Sequence, residues 1–352
     1  MLAAVRSRSR VVFAAVAALA ALSLTACAGE AKETSSSASN APAAAGGAFP
    51  VTIPTAHGDV VIQKKPERIV AWGWSAQDAV LALGVMPVAM PTFKYGGNAE
   101  GILPWTADKI KELGGTPPTL LTTNESFDLP IEEIIAAKPD LVLAPYSAIT
   151  KEEHDKLNQL APTVSYPQKP WQSSWQEQID IVGKALGKTT EAKALHDQTV
   201  DKINKLGAAH PVLKGKTFLY GASNVADQLN VYRAVDPRVD LVAQLGMTVS
   251  PSVKELDAKP DEGTFYYQLS FENLSKIKAD LLIMYFSTQK DADAFLKDPL
   301  VASLPLIKEK RLAPIVGESY VMASSAPTVL AIPWMLDKYV PELAAVAEKA
   351  GA

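Results

Sequence analysis

Gly73-Trp74-Ser75-Ala76-Gln77 follows a short β-branched run and precedes a helical pattern, the setting of a hydrolase nucleophile elbow. Gln77 stands where the elbow needs a small residue, and nothing after His210 is a histidine to serve as base. Ser75 is better read as a helix N-cap, forming a capping box with Asp78 three residues on. The histidines are His57, His154, His196 and His210, and Cys27 is the only cysteine, so an imidazole or thiolate metal cluster has little raw material. Any metal arrives already chelated.

The side chains that suit a binding role are aromatic. Trp72 and Trp74, Phe93, Lys94 and Tyr95, Tyr146, Tyr220, Tyr285 with Phe286, and Tyr320 cluster where strands end, with Trp105, Trp171, Trp175, Tyr232 and Arg233 in intervening stretches. Such a rim suits a large, partly apolar ligand with a polar centre, because indole N–H, phenol and guanidinium groups donate to ligand oxygens. Arg233 is the leading cation; its competing role is a salt bridge to Asp236 or Asp227. Lys94 offers a second positive charge from the first half. Phe127, Phe265 and Trp334 sit among apolar neighbours and read as core.

Two halves repeat one plan to position these residues. Residues 68–72 form a strand that turns at Gly73 into a helix stopping at Gly84; residues 216–220 form a strand, with Asp236 and Pro237 as N-cap and N1 of a helix stopping at Gly246. Residues 132–144 then match residues 272–284, each with a glutamate (Glu132, Glu272) eight positions before the aspartate (Asp140, Asp280) that opens a buried strand. Each half adds a helix (151–160; 291–310) and a last strand. Between them residues 175–186 and 189–206 carry helical apolar spacing, read as one long bridging helix. The expected fold is α/β: two Rossmann-like lobes with mostly parallel sheets, residues 49–186 and 211–352, joined by a helix over 187–210. Ligands of open α/β sheets gather beyond the carboxyl ends of the strands, which puts the aromatic loops at one cleft.

Ahead of the lobes, Arg6, Arg8 and Arg10 precede an apolar run over residues 11–24, too short to span a bilayer. Leu24, Thr25, Ala26 and Cys27 resemble the lipobox of bacterial lipoproteins, in which the cysteine is diacylated and becomes the mature N-terminus. Residues 1–26 are then a signal peptide, and residues 27–48, small and polar, a lipidated flexible tether. Of 34 basic and 38 acidic residues the signal removes three arginines, leaving a net charge of about −7, which disfavours nucleic acid as a partner.

Through Lys65-Pro-Glu-Arg-Ile-Val, Leu-Ala-Leu-Gly-Val-Met-Pro-Val, Ile-Glu-Glu-Ile-Ile-Ala-Ala-Lys-Pro-Asp-Leu-Val-Leu and Lys-Ala-Asp-Leu-Leu-Ile, in that order, the chain resembles the ferric-siderophore and cobalamin substrate-binding proteins of ABC importers, over roughly residues 50 to 343. The resemblance implies a lipid-anchored protein on the outer face of the cytoplasmic membrane. It would grip a ferric siderophore between its lobes and deliver it to a permease driven by a cytosolic ATPase, with no intrinsic cofactor and no covalent chemistry. Glu132 and Glu272 would dock into arginine pockets of that permease; their competing role is to favour helix N-termini. Two basic residues among many aromatics point to neutral or weakly charged hydroxamate or mixed chelates. Haem or cobalamin is the alternative within the class, and an envelope scaffold without a ligand the alternative outside it.

Overall fold

A computed structural model describes residues 49–351 except 125 and 261. The signal segment, Cys27 and the tether lie outside the described residues. The chain enters as an antiparallel hairpin, β1 (Val51–Thr55) and β2 (Gly58–Ile62). The first lobe then alternates β3 (Ile69–Ala71), α1 (Ala76–Ala82), β4 (Ala89–Pro91), α2 (Pro104–Leu113), β5 (Thr119–Leu121), α3 (Ile131–Ala136), β6 (Leu141–Leu143), α4 (Lys151–Asn158), β7 (Thr163–Val164) and α5 (Trp175–Ala185). Its strands lie in the order β5-β4-β3-β6-β7, and every pairing is parallel. β3 and β6 are buried at every residue, as parallel strands covered by helices on both faces must be.

α6 (Thr189–Ala209) is a single helix of 21 residues, separate from α5, and leads to the second sheet. There follow β8 (Thr217–Val225), β9 (Gln228–Tyr232), α7 (Pro237–Gln244), β10 (Thr248–Val249), α8 (Pro251–Glu255), β11 (Tyr266–Ser270), a 3-10 helix (Phe271–Lys276) and β12 (Leu281–Phe286). The chain closes with α9 (Gln289–Lys297), α10 (Pro299–Ser303), α11 (Pro305–Lys308), β13 (Leu312–Val316), α12 (Glu318–Ser325) and α13 (Ala331–Ala347). The sheet order is β11-β9-β8-β12-β13, with β10 on β8.

This second sheet is mixed: β8, β10, β12 and β13 pair in parallel, whereas β9 and β11 add an antiparallel edge. Residues 228–232 are therefore a strand and not the loop expected from sequence. The single helix expected over 291–310 is three, because Pro299 and Pro305 each lack an N–H and start a new helix at N1.

The repeated aspartates do the same work in both lobes. Asp140 accepts the backbone N–H groups of Arg68 (2.8 Å) and Glu67 (2.9 Å) just before β3, and Asp280 accepts the N–H (2.7 Å) and hydroxyl (2.8 Å) of Thr217 at the start of β8. Each pins the first strand of its lobe to the next parallel strand. An arginine backs each pin, Arg68 donating to the Lys138 carbonyl at 2.8 Å and Arg311 to the Asp280 carbonyl at 2.9 Å.

A shared apolar cluster joins one face of each sheet, through Ile69, Leu141, Phe218 and Ile283, to α5, α6, α7 and α13. Within it lies Asp78, fully buried. The capping box expected at α1 does not form: Ser75 is in the left-handed region (φ 95°) and makes no cap bond, its hydroxyl donating instead to Gln178 Oε1 at 2.9 Å. Asp78 turns inward because three better donors await it: Trp105 Nε1 (2.6 Å), Thr106 Oγ1 (2.7 Å) and, from the α12–α13 connection, Thr328 Oγ1 (2.8 Å). With Trp105 against Trp334 (5.1 Å), these bonds tie α1 and α2 of the first lobe to the C-terminal helices.

Burial raises the Asp78 carboxyl above its ordinary value, against its hydrogen bonds. Ionised Asp78 thus takes away stability as pH rises through its folded-state value, and protonation restores it. Asp78→Ala orphans the Trp105 N–H in a dry interior and is expected to cost about 2–4 kcal/mol, measured by urea unfolding.

Candidate functional site

A cavity of about 980 Å³ opens between the two sheets. Its first wall is built by the segments that follow all five strands of the first sheet: Trp74 after β3, Phe93, Lys94 and Tyr95 after β4, Phe127 after β5, Tyr146 after β6 and Trp171 after β7. This is the carboxyl-end placement that parallel strands impose. The rings interlock, with Trp74 at 5.8 Å from Trp171, Tyr146 at 5.6 Å from Trp171 and Phe127 at 6.2 Å from both Trp74 and Phe93. Ser75, Phe127 and Trp171 hold positive φ (95°, 57° and 59°), conformations that non-glycine residues rarely adopt. Gly73 is required at the first turn, since a Cβ there would meet the Tyr146 carbonyl oxygen at 2.3 Å.

The second wall is a sheet face. On β9, Asn230 and Tyr232 point into the cavity, while Leu229 and Val231 alternate into the core behind. Tyr232 and Tyr285 share a hydrogen bond between hydroxyls (2.8 Å), and Phe265 stacks on Tyr232 at 6.4 Å with planes 2° apart. The lobes touch on both sides of the opening. Tyr95 meets Ser287 (hydroxyls 2.7 Å apart), and Ser319 Oγ donates to the Gly96 carbonyl (2.7 Å). Opposite, Gln172 Nε2 donates to the Gly263 carbonyl (2.9 Å).

Between the walls lies Arg238, in the first turn of α7. Its Nε donates to Asp236 Oδ1 at 2.7 Å, and its guanidinium lies 3.9 Å above the centre of the Tyr232 ring. Asp236 is the N-cap of α7, accepting the Arg238 N–H at 2.9 Å, and is completely buried. Burial pushes its carboxyl up while Arg238 pulls it back; burial also works against the guanidinium, yet Asp236 and the tyrosines hold its proton more firmly than usual. The phenols of Tyr146 and Tyr232 are pushed up by burial and so stay protonated; Tyr146 donates to the Ser325 carbonyl at 3.4 Å, and Tyr232 shares its hydroxyl with Tyr285. The arrangement offers converging donors in an aromatic box, with one buried cation whose charge is matched from behind and Lys94 as an exposed second.

Of the residues proposed from sequence, Trp74, Phe93, Lys94, Tyr95, Tyr146, Trp171, Tyr232 and Tyr285 line this cavity. Trp105, Trp175 and Phe286 are buried elsewhere, and four others do not line it. Trp72 is 1% exposed, and its ring packs 5.0 Å from Phe127 inside the first lobe. Tyr220 lies buried behind Tyr232, 5.8 Å away. Tyr320 packs tilted against Trp334 at 4.9 Å with Lys338 over its ring, and does not line the cavity. Arg233 follows Tyr232 and so points to the other face of the sheet, where Nε (2.7 Å) and Nη2 (3.0 Å) clamp Asp257. That salt bridge is the competing role, with a partner other than the two expected.

Arg238 takes the position assigned to Arg233. The signal available was a cation in the first turn of a helix, where the macrodipole disfavours it. Phe127 and Phe265, read as core, line the cavity; the former was legible only if residues 119–121 were recognised as a strand with a loop beyond its carboxyl end. Glu132 and Glu272 are exposed, in the first turns of α3 and of the 3-10 helix, and neither lines the cavity.

Two lobes joined by a helix and enclosing an aromatic cleft define a solute-binding protein. The chain belongs to the periplasmic binding protein family, whose profile matches residues 69–315. It is similar to PiaA of Streptococcus pneumoniae TIGR4, solved in complex with ferrichrome: 35% identity, 85% of this chain and 99% of that one covered, TM-score 0.76. It is also similar to the Fe(3+) dicitrate-binding periplasmic protein FecB of Escherichia coli K12, at 25% identity over 277 residues, 78% of this chain and 84% of FecB. The ferric enterobactin-binding periplasmic protein FepB of Escherichia coli O6:H1 matches at 24% over 302 residues, 77% of this chain and 86% of FepB.

Because Asp236 is buried with a single cation, Arg238→Ala is expected to destabilise the protein by about 3–5 kcal/mol, and the double variant Asp236→Ala/Arg238→Ala to recover at least half of that in thermal unfolding.

Proposed function

We propose that this protein captures a ferric siderophore in the inter-lobe cleft and delivers it to the permease of an ABC importer. The observation that carries the reading is Arg238, a buried guanidinium set in an aromatic box between two lobes of this family. A ferric chelate presents oxygen acceptors around a concealed metal and an apolar periphery. Arg238, Tyr146 and Tyr232 answer the first, and the tryptophan and phenylalanine rings answer the second. A volume near 980 Å³ suits a ligand at the upper end of small-molecule size.

Asp236 offsets the charge of Arg238, and Lys94 is exposed at the rim, so the cleft holds little surplus positive charge. This favours neutral or weakly charged hydroxamate and mixed chelates over highly anionic catecholates. The protein performs binding without covalent chemistry. Residues 49–186 and 211–352 act as the two lobes, and α6 between them restrains closure.

Cys27 carries the lipid that holds the protein at the outer face of the cytoplasmic membrane, with residues 28–48 as the tether. Among the described residues no helix is long and apolar enough to cross a membrane. Glu132 and Glu272 dock the two lobes onto arginines of the permease. Their support is equivalence: both are exposed, and each precedes by eight residues the aspartate that pins its lobe.

Residues 49–352, titrated by tryptophan fluorescence against ferric hydroxamates, ferric catecholates, ferric citrate, haem and cobalamin, are expected to bind a ferric hydroxamate or mixed chelate in the submicromolar range. Silence across the panel, confirmed by calorimetry, rejects the reading in favour of a scaffold. The variant Glu132→Ala/Glu272→Ala is expected to retain ligand affinity and lose uptake in cells; normal uptake rejects the docking assignment.

A further inference from the structure

The two rims of the cleft are closed by contacts of different kinds. On one side Gln172 Nε2 reaches the Gly263 carbonyl (2.9 Å), and a Cβ at Gly263 would meet only Lys169 Nζ, at 3.5 Å. Both side chains there are flexible, so that contact can lengthen. On the other side backbone meets helix. Gly96, buried and at φ 76°, donates its N–H to Glu318 Oε2 (3.2 Å) and accepts the Ser319 hydroxyl at 2.7 Å, so the first turn of α12 takes both of its polar groups.

A Cβ at Gly96 would lie 2.9 Å from the Glu318 carbonyl oxygen and 2.8 Å from Met322 Cγ, inside van der Waals contact. The methionine can swing aside; the carbonyl belongs to the helix backbone and cannot. α12 is fixed in turn to the second sheet, the Gly317 N–H donating to the Phe286 carbonyl (3.0 Å) at the end of β12. Tyr95 and Met322, beside this seat, line the cavity, and Tyr95 spans to Ser287. How closely the backbone at Gly96 approaches α12 therefore sets the separation of the walls at this rim, and glycine allows an approach that a side chain forbids.

We propose that Gly96 is a positioning residue: its bare backbone seats the first lobe on α12, and the seat fixes the width of the cleft and so the largest ferric chelate that both walls can grip. Gly96 itself does not line the cavity and acts only through this spacing. The inference rests on the siderophore-binding reading and gives that site its size limit.

The test compares ferrichrome with a synthetic analogue in which longer acyl chains replace its three hydroxamate acetyl groups, so that charge and iron coordination are unchanged and only the periphery grows. Each is titrated against wild type, Gly96→Ala, Ser319→Val and Ser319→Ala, with folding checked by thermal unfolding. Ser319→Val adds bulk to the same seat from the helix side, where two stiffly held methyls replace one hydroxyl, and it stands alone if Gly96→Ala does not fold. Ser319→Ala removes the bond to Gly96 without adding bulk. Gly96→Ala and Ser319→Val are expected to shift the ratio of affinities about fivefold or more toward the longer-chain analogue, and Ser319→Ala to keep the wild-type ratio. An unchanged ratio in the folded bulky variants, a shift toward ferrichrome, or an equal shift in Ser319→Ala overturns the assignment while leaving siderophore binding standing. Wild type that binds neither chelate overturns it as well, and the panel of ferric chelates decides the siderophore reading separately.

Discussion

The ion pair between Arg238 and Asp236 is the constraint around which the cleft is arranged. A guanidinium cannot shed its proton, so burying one beside tyrosine rings demands a carboxylate at its back. Asp236 supplies it and simultaneously caps the helix that carries Arg238, so one side chain sets both the charge and its position. The guanidinium is thereby fixed over Tyr232, and Tyr232 in turn orders Tyr285 and Phe265. The result is a preorganised donor set whose net charge is small, which decides what kind of ligand can enter without leaving charge unpaired.

Such a cleft is useful only if its walls keep their distance. The shared apolar cluster and the bonds made by Asp78 tie the first lobe to the C-terminal helices, while the contacts of Tyr95, Ser319 and Gln172 hold the rims. The lobes repeat one another in how Asp140 and Asp280 pin their sheets, but not in how they line the cavity. The first contributes loops beyond strand ends; the second, with its antiparallel edge, contributes a pleated face.

Much of the cleft was legible in residue type and order. Trp74, Phe93, Lys94, Tyr95, Tyr146, Trp171 and Tyr285 follow strands or end them, and a parallel sheet sends all such positions to one side. The errors have a common origin. Trp72 and Trp74, or Tyr232 and Arg233, are one or two positions apart, and which of a neighbouring pair faces the ligand depends on where the strand ends and on its pleat. Reading β9 as a loop removed the alternation that would have turned Arg233 away.

The sequence by itself determined the α/β alternation, the helix stops at Gly84 and Gly246, the cap at Asp236 and the paired aspartates, because these follow from local propensity and hydrogen-bonding need within a few residues. Only the tertiary structure decided that Asp78 would leave its cap for Trp105, Thr106 and Thr328, that Phe127 and Phe265 would line a cavity, and that Arg238 would be its cation. Those outcomes depend on partners distant in the chain, whose burial and donor geometry outweigh the local preference of any one residue.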